Sequence, residues 1–240
     1  MAGDSLPTTS AAPVEQNLLF TPPVALADRA PDVGSLKGQL LAKRGLDISI
    51  ALLVLVSLAP LLLLLCLVVR LSDGGPALFR QTRVGKGGRL FACYKFRSMV
   101  LDADGALERH LRANPDAARE WAATQKLADD PRVTPLGRFL RKSSLDELPQ
   151  VLNVLAGDMS LIGPRPIVPA ECARYEDALA YYVSVKPGIT GLWQISGRSN
   201  CSYAERIALD VRYAANWSLR DDLMILALTV PAVLLQRGSC

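Results

Sequence analysis

The sequence predicts a mostly helical α+β chain. It comprises a flexible tail over residues 1–36, a re-entrant membrane helix hairpin over 37–70, and a cytoplasmic domain over 71–240 with a short β-hairpin and interfacial amphipathic helices. Three observations predict this. Twenty-two consecutive residues from Ile48 to Val69 carry no charge. Basic residues flank that run on both sides. Strand-like segments are confined to residues 76–99, whereas helical spacing recurs through the rest.

At 240 residues the chain fits one or two domains. Half the residues are apolar, and the mean hydropathy of +0.21 is high for a chain with 21% charged residues. A collagen, a disulfide scaffold and a fully disordered chain are excluded. Residues 1–42 hold four acids against two bases, so the net charge of +4 resides in a more basic remainder. Such a body suits an anionic partner. The five cysteines (66, 93, 172, 201 and 240) form no CxxC and are odd in number, which argues for a reducing compartment. The single histidine, His110, excludes histidine-rich metal sites and leaves acid–base and nucleophilic chemistry to carboxylates.

Residues 1–36 are rich in Pro, Ala, Thr and Asp without a lasting period, which predicts a flexible tail rather than a signal peptide. As a helix, Ile48–Val69 would be about 33 Å long, enough for the ~30 Å hydrocarbon core of a bilayer. Pro60, near its middle, removes a backbone donor and should bend the helix. Lys37, Lys43 and Arg44 precede the run, and Arg70, Arg80, Arg83, Lys86 and Arg89 follow it. Both flanks thus look cytoplasmic by the positive-inside rule. A helix that enters, bends and returns satisfies both facts; a straight, kinked span is the alternative.

Residues 76–99 read as two strands around Gly85, Gly87 and Gly88. Seven basic residues and one acid between 70 and 98 suggest a headgroup-binding collar, a phosphate site, or both. Helical patterns occupy 101–127, with a break at Asn114-Pro115, then 147–155, 168–184 and 202–217. The stretches 163–166 (GPRP) and 186–198 (KPGITGLWQISGR) read as loops. The apolar run 223–235 is too short to span and suits an interfacial or a core helix.

No phosphate-binding glycine loop of Walker or dinucleotide type is present. Asp102 and Asp104 form a DxD, which could hold a divalent ion or simply open a helix. The stronger candidate is KSSLDELPQ, residues 142–150. Pro149 belongs in a first helical turn, so a helix is expected to begin near Asp146, with Asp146 and Glu147 at its N-terminus. The same residues also fit a capping box from Ser144 to Glu147. Arg138, Arg141 and Lys142 before the pair and Arg165 after it favour phosphate binding and carboxylate attack on a phosphoryl group.

KRGLDISIALLVLVSLAPLLLLL, LFACYKFRSM, DPRVTPLGRFLRKSSLDELPQVLNVLAGDMSLIGPRP and KPGITGLWQISGR together resemble the bacterial sugar transferases, the monotopic polyprenyl-phosphate phosphoglycosyl transferases. The resemblance covers residues 40–238. It implies transfer of a sugar 1-phosphate, of galactose or glucose type, from a UDP-sugar to undecaprenyl phosphate with release of UMP, as a first membrane step of exopolysaccharide synthesis. It further implies that Asp146 is the nucleophile and carries the phosphosugar, and that Glu147 is tied to Mg2+ and assists the reaction as a second catalytic residue. It places Lys95, Arg141, Arg165 and Asp210 in substrate binding. The catalytic domain is expected on the cytoplasmic face of the bacterial inner membrane. The chain resembles the small, core-only members. One departure is visible: the helix break is Ala59-Pro60, where the family usually has Ser-Pro.

Two other readings make different predictions. A metal-dependent glycosyltransferase using Asp102 and Asp104 would release UDP. A non-catalytic membrane scaffold would bind acidic lipid or nucleic acid through residues 70–98; few stacking aromatics lie there, so nucleic acid is not expected as a partner.

Overall fold

The computed structural model describes residues 33–124, 127–196 and 202–234. The expected tail up to residue 32, Cys201 and Cys240 lie outside the described residues. Helix α1 (Val33–Ser57) and helix α2 (Ala59–Asp73) form a pair bent by 64°. No single described helix is long and apolar enough to cross a membrane, but this pair passes that test together. α1 begins four residues before the expected domain boundary.

The break sits where the sequence places it. Leu58 leaves the helical region, and Pro60 occupies the first turn of α2, where a missing N–H costs nothing. Ala59 lacks the hydroxyl of the family's usual Ser, but Ser57 supplies one. Its Oγ donates to the Leu53 carbonyl at 2.6 Å, the back-bond that commonly accompanies a bend.

Strands β1 (Leu78–Val84) and β2 (Leu90–Phe96) pair antiparallel, with Leu78 opposite Phe96 and Val84 opposite Leu90. This is the expected hairpin. Gly87 has a φ of 68° in the turn, a conformation open to glycine at little cost. The helical region 101–127 resolves into α3 (Ala103–Ala113) and α4 (Pro115–Thr124), broken at Asn114 as expected.

Helices α5 (Pro135–Lys142) and α6 (Gln150–Ala156) bracket the Asp-Glu pair. A second, two-residue-register sheet joins β3 (Ser160–Ile162) and β4 (Gly188–Thr190) in parallel. The loop expected over 186–198 thus contains β4 and a short helix after it, because three-residue strands carry too little alternation to be read from the sequence. The glycines have a reason: a Cβ on Gly188 would lie 2.1 Å from the Gly163 nitrogen. The short helices α7 (Cys172–Tyr175), α8 (Leu179–Ser184) and α9 (Leu192–Ile195) lead to α10 (Tyr203–Ala215) and α11 (Leu219–Leu234).

One core cluster joins Ala51 of α1 to Cys93, Val151, Val154, Met159, Ile162, Tyr213 and Ile225. A second joins Leu65 and Val69 of α2 to Phe96 and Leu140. Both helices of the bent pair are therefore built into the body that carries the Asp-Glu pair. Polar bonds fix them further. Lys43 Nζ reaches Asp222 Oδ2 at 2.6 Å, and Arg44 donates to the carbonyls of Val154 and Leu155. Asp47 accepts from Ser160 Oγ and the Leu161 N–H. On the second arm, Arg97 pairs with Asp73 and donates to the Val69 carbonyl.

Candidate active site

Asp146 and Glu147 do not open an α-helix. They lie in a single 3₁₀ turn, Leu145–Glu147, and α6 starts only at Gln150, with Pro149 as its N-cap. The capping box is also not formed: Ser144 makes no side-chain cap bond and instead adopts a left-handed conformation (φ 56°). That rare backbone geometry turns the chain sharply after α5. The turn presents the two adjacent carboxylates.

α5 is seated by a close approach, since a Cβ on Gly137 would lie 1.9 Å from the Ser98 carbonyl oxygen. Its last turn then places Arg141, whose Nε donates to Ser98 Oγ at 2.8 Å. β2 delivers Lys95, whose Nζ pairs with Glu147 Oε1 at 2.7 Å. Asn153, fully buried on α6, ties these elements together. Its Oδ1 accepts the Tyr94 N–H at 3.0 Å and its Nδ2 donates to the Ala92 carbonyl at 2.7 Å.

Asp146 is 8% exposed. Burial and the neighbouring Glu147 push its pKa up to about 6, while Lys95 and Arg141 oppose the rise. Burial also pushes Glu147 upward, but Lys95, Arg165 and Arg83 more than offset it and hold that carboxyl below the ordinary range. The two adjacent acids are thus driven apart: one is a basic carboxylate, the other a firmly ionised one.

The structure brings Lys95, Arg141, Asp146, Glu147 and Arg165 to one locality. Asp210, on α10, stands behind it. It is 2% exposed, accepts from the Tyr175 hydroxyl at 2.8 Å, and has its pKa raised to about 6 by burial against the pull of Tyr175, Arg206 and Arg165. Pro60 belongs to the bent α1–α2 pair and not to this locality. The DxD alternative fares differently. Asp102 caps α3 by accepting the Gly105 N–H and pairs with Arg109, both side chains being about two-thirds exposed. These are ordinary duties at a helix start.

Among the described residues there is no group of three or more His, Cys, Asp or Glu side chains that could hold a metal ion. Mg2+, however, is commonly held by one or two carboxylates, with phosphates and waters completing the shell. Asp146 and Glu147 fit that smaller requirement, because the Lys95 pair uses only Oε1 of Glu147.

Arg83, Trp193 and Arg206 also belong to this region, and sequence reading singled out none of them for the site. Arg206 carried one usable signal: it lies four residues before Asp210, hence on the same face of α10.

The sequence model of the family described as "Bacterial sugar transferase" matches residues 38–236. The chain belongs to that family. This sugar transferase is 50% identical over 199 residues to the exopolysaccharide production protein ExoY of Sinorhizobium fredii, covering 83% of this chain and 88% of the relative. It is 49% identical over 197 residues to the undecaprenyl-phosphate galactose phosphotransferase of Salmonella typhimurium, covering 82% of this chain but only 41% of that longer protein. The UDP-glucose:undecaprenyl-phosphate glucose-1-phosphate transferase of Caulobacter vibrioides is 45% identical over 202 residues, with 81% of this chain and 70% of the relative covered.

Proposed function

We propose that the enzyme transfers a sugar 1-phosphate, of galactose or glucose type, from a UDP-sugar to undecaprenyl phosphate in two steps through Asp146, initiating an exopolysaccharide or related glycan. In the first step an Asp146 carboxylate oxygen attacks the sugar-bearing phosphorus. The bond to the second phosphate breaks, and UMP leaves with the electron pair. In the second step an oxygen of undecaprenyl phosphate attacks the same phosphorus and returns the carboxylate.

The observation that carries this reading is a buried, basic Asp146 beside an ionised Glu147, with Lys95, Arg141 and Arg165 around the pair. A half-desolvated carboxylate is a better nucleophile than a solvated one, and the surrounding cations counter its repulsion by an anionic donor. Mg2+ held by Glu147, with Asp146 adjacent, would supply further neutralisation of the donor phosphates. The relatives' names, which specify undecaprenyl-phosphate and galactose or glucose 1-phosphate transfer, agree with this substrate class.

The bent α1–α2 pair is read as re-entrant. Support comes from its two ends: Lys43, Arg44 and Asp47 on one arm and Asp73 and Val69 on the other all bond to the same folded body. A helix pair that crossed the bilayer would carry its ends to opposite sides. Leu53, Val56, Leu63 and Leu71, each at least two-thirds exposed, face outward along the pair, as lipid contact requires. The catalytic residues then sit at the cytoplasmic face of the bacterial inner membrane.

The deciding experiment incubates the enzyme with sugar-labelled UDP-galactose or UDP-glucose and Mg2+ without lipid. Labelled protein and free UMP are expected, and Asp146→Asn should give neither. Release of UDP, or full turnover by the Asn variant, overturns the reading.

A further inference from the structure

Arg206 is buried without adequate partners. Its side chain is 12% exposed, and its nearest acids, Glu171 at 3.8 Å and Asp210 at 4.0 Å, are too distant to accept hydrogen bonds. Its Nε and Nη2 are buried and have no acceptor among the described residues. The same is true of Trp193 Nε1. The Arg206 guanidinium lies 5.5 Å from the centroid of the Trp193 ring and 5.2 Å from that of Tyr203, so two rings hold it in place. Arg165 stands over the same indole at 5.6 Å. Three unanswered N–H groups and two guanidinium ions therefore share one tryptophan. Folds seldom leave buried donors unmatched unless something else supplies the acceptors. The missing group must be anionic and offer several oxygens, as a phosphate does.

Position indicates which phosphate. Lys95 acts on both Asp146 and Glu147, Arg141 on Asp146, Arg165 and Arg83 on Glu147, and Arg206 and Arg165 on Asp210. Arg165 thus neighbours both the carboxylate pair and the Trp193 ring that it shares with Arg206. A diphosphate whose sugar-bearing phosphorus faces Asp146 would extend its other phosphate past Arg165.

We propose that Arg206 and Trp193 receive the phosphate of the departing nucleoside monophosphate, the half of the donor that is not transferred. This deepens the two-step reading above and rests on it. When the phosphorus–oxygen bond breaks, the bridging oxygen becomes a terminal oxygen of the leaving group and keeps the electron pair. That phosphate then gains about one unit of negative charge. Donors already fixed in place and short of acceptors stabilise such developing charge without reorganising. The orphaned N–H groups are thus satisfied only when the nucleotide is bound, and most strongly as it leaves.

The test separates the half-reactions in detergent-solubilised full-length enzyme. Arg206→Met should slow UMP release and adduct formation by about 100-fold. Trp193→Phe, which keeps the ring and removes one donor, should slow them by about 10-fold and weaken UMP binding similarly. Discharge of preformed adduct by undecaprenyl phosphate should be unchanged in both. If the discharge step is the one impaired, or UMP affinity is unaltered, the proposal fails and the site serves the lipid phosphate or the fold alone. Thermal unfolding checks Arg206→Met; if that variant does not fold, Trp193→Phe decides. If the wild type forms no adduct at all, the covalent reading fails instead, and equilibrium UMP binding to wild type and Trp193→Phe still judges this site.

Discussion

Lys95 Nζ and Glu147 Oε1 meet at 2.7 Å although 52 residues separate them in the chain. The bond joins the β-hairpin to the turn that carries Asp146. Both side chains are partly covered, at 19% and 34% exposure, so the pair is only moderately screened. Lys95→Met would remove the cation that acts most strongly on Glu147 and would raise that carboxyl toward its ordinary range. A loss of about 10²–10³-fold in adduct formation is expected, as for removal of a single charge-stabilising donor. Single-turnover labelling with UDP-sugar checks this, and a variant within a few-fold of wild type would show that the pair is only structural.

Asn153 should be a stability determinant rather than a chemical one. Its amide stands in for a strand, answering Tyr94 N–H and the Ala92 carbonyl on the free edge of β2. Asn153→Leu leaves both partly covered backbone groups without this partner, at up to about 1–3 kcal/mol each. A loss of roughly 2–5 kcal/mol is expected in denaturant unfolding. Asn153→Asp keeps only the acceptor and should fall between. Equal stability of the Leu variant and wild type would mean that water answers the edge.

These two residues show what could be read in the chain and what could not. The apolar run and Pro60 give the bent helix pair because each is a local signal. The β-hairpin and the Asn114-Pro115 break are local too. The turn that holds Asp146 departs from the expected helix start because Pro149 fits an N-cap as well as a first helical turn, and only packing chooses between them. Asn153, Trp193 and Arg206 gave little warning. The role of Asn153 depends on the edge of β2, and those of Trp193 and Arg206 on partners brought from elsewhere by the parallel β3–β4 pairing and by α10, and neither short strand alternates.

Asp210 should make stability depend on pH. Its carboxyl titrates near 6 in the folded protein, raised chiefly by burial, against about 3.9 in an unfolded chain. Between these values the folded state keeps a proton that the unfolded chain has lost. Stability therefore falls as pH rises from about 4 to about 6 and levels off above. Asp210→Asn removes that titration. The stability of the Asn variant relative to wild type should thus improve by up to about 3 kcal/mol between pH 4 and pH 7. Paired denaturant curves at those two pH values measure it; a difference that does not change with pH would place the Asp210 carboxyl in the ordinary range.

Lys43 and Asp222 offer the clearest test of how α1 is held to the body. Asp222 is fully buried and accepts from Lys43 Nζ at 2.6 Å, the Tyr213 hydroxyl at 2.7 Å and Trp217 Nε1 at 2.9 Å. Lys43→Met leaves the carboxylate buried with two neutral donors and no counter-charge, at a cost of about 3–5 kcal/mol. Asp222→Asn alone leaves the Lys43 cation facing an amide. The double variant removes both charges, so its loss should be smaller than the sum of the single losses by more than about 1 kcal/mol. A cycle of unfolding measurements in one detergent gives that coupling directly. Strict additivity would mean that α1 is seated by Arg44, Asp47 and the apolar contacts of Ala51, with the Lys43 pair contributing nothing of its own.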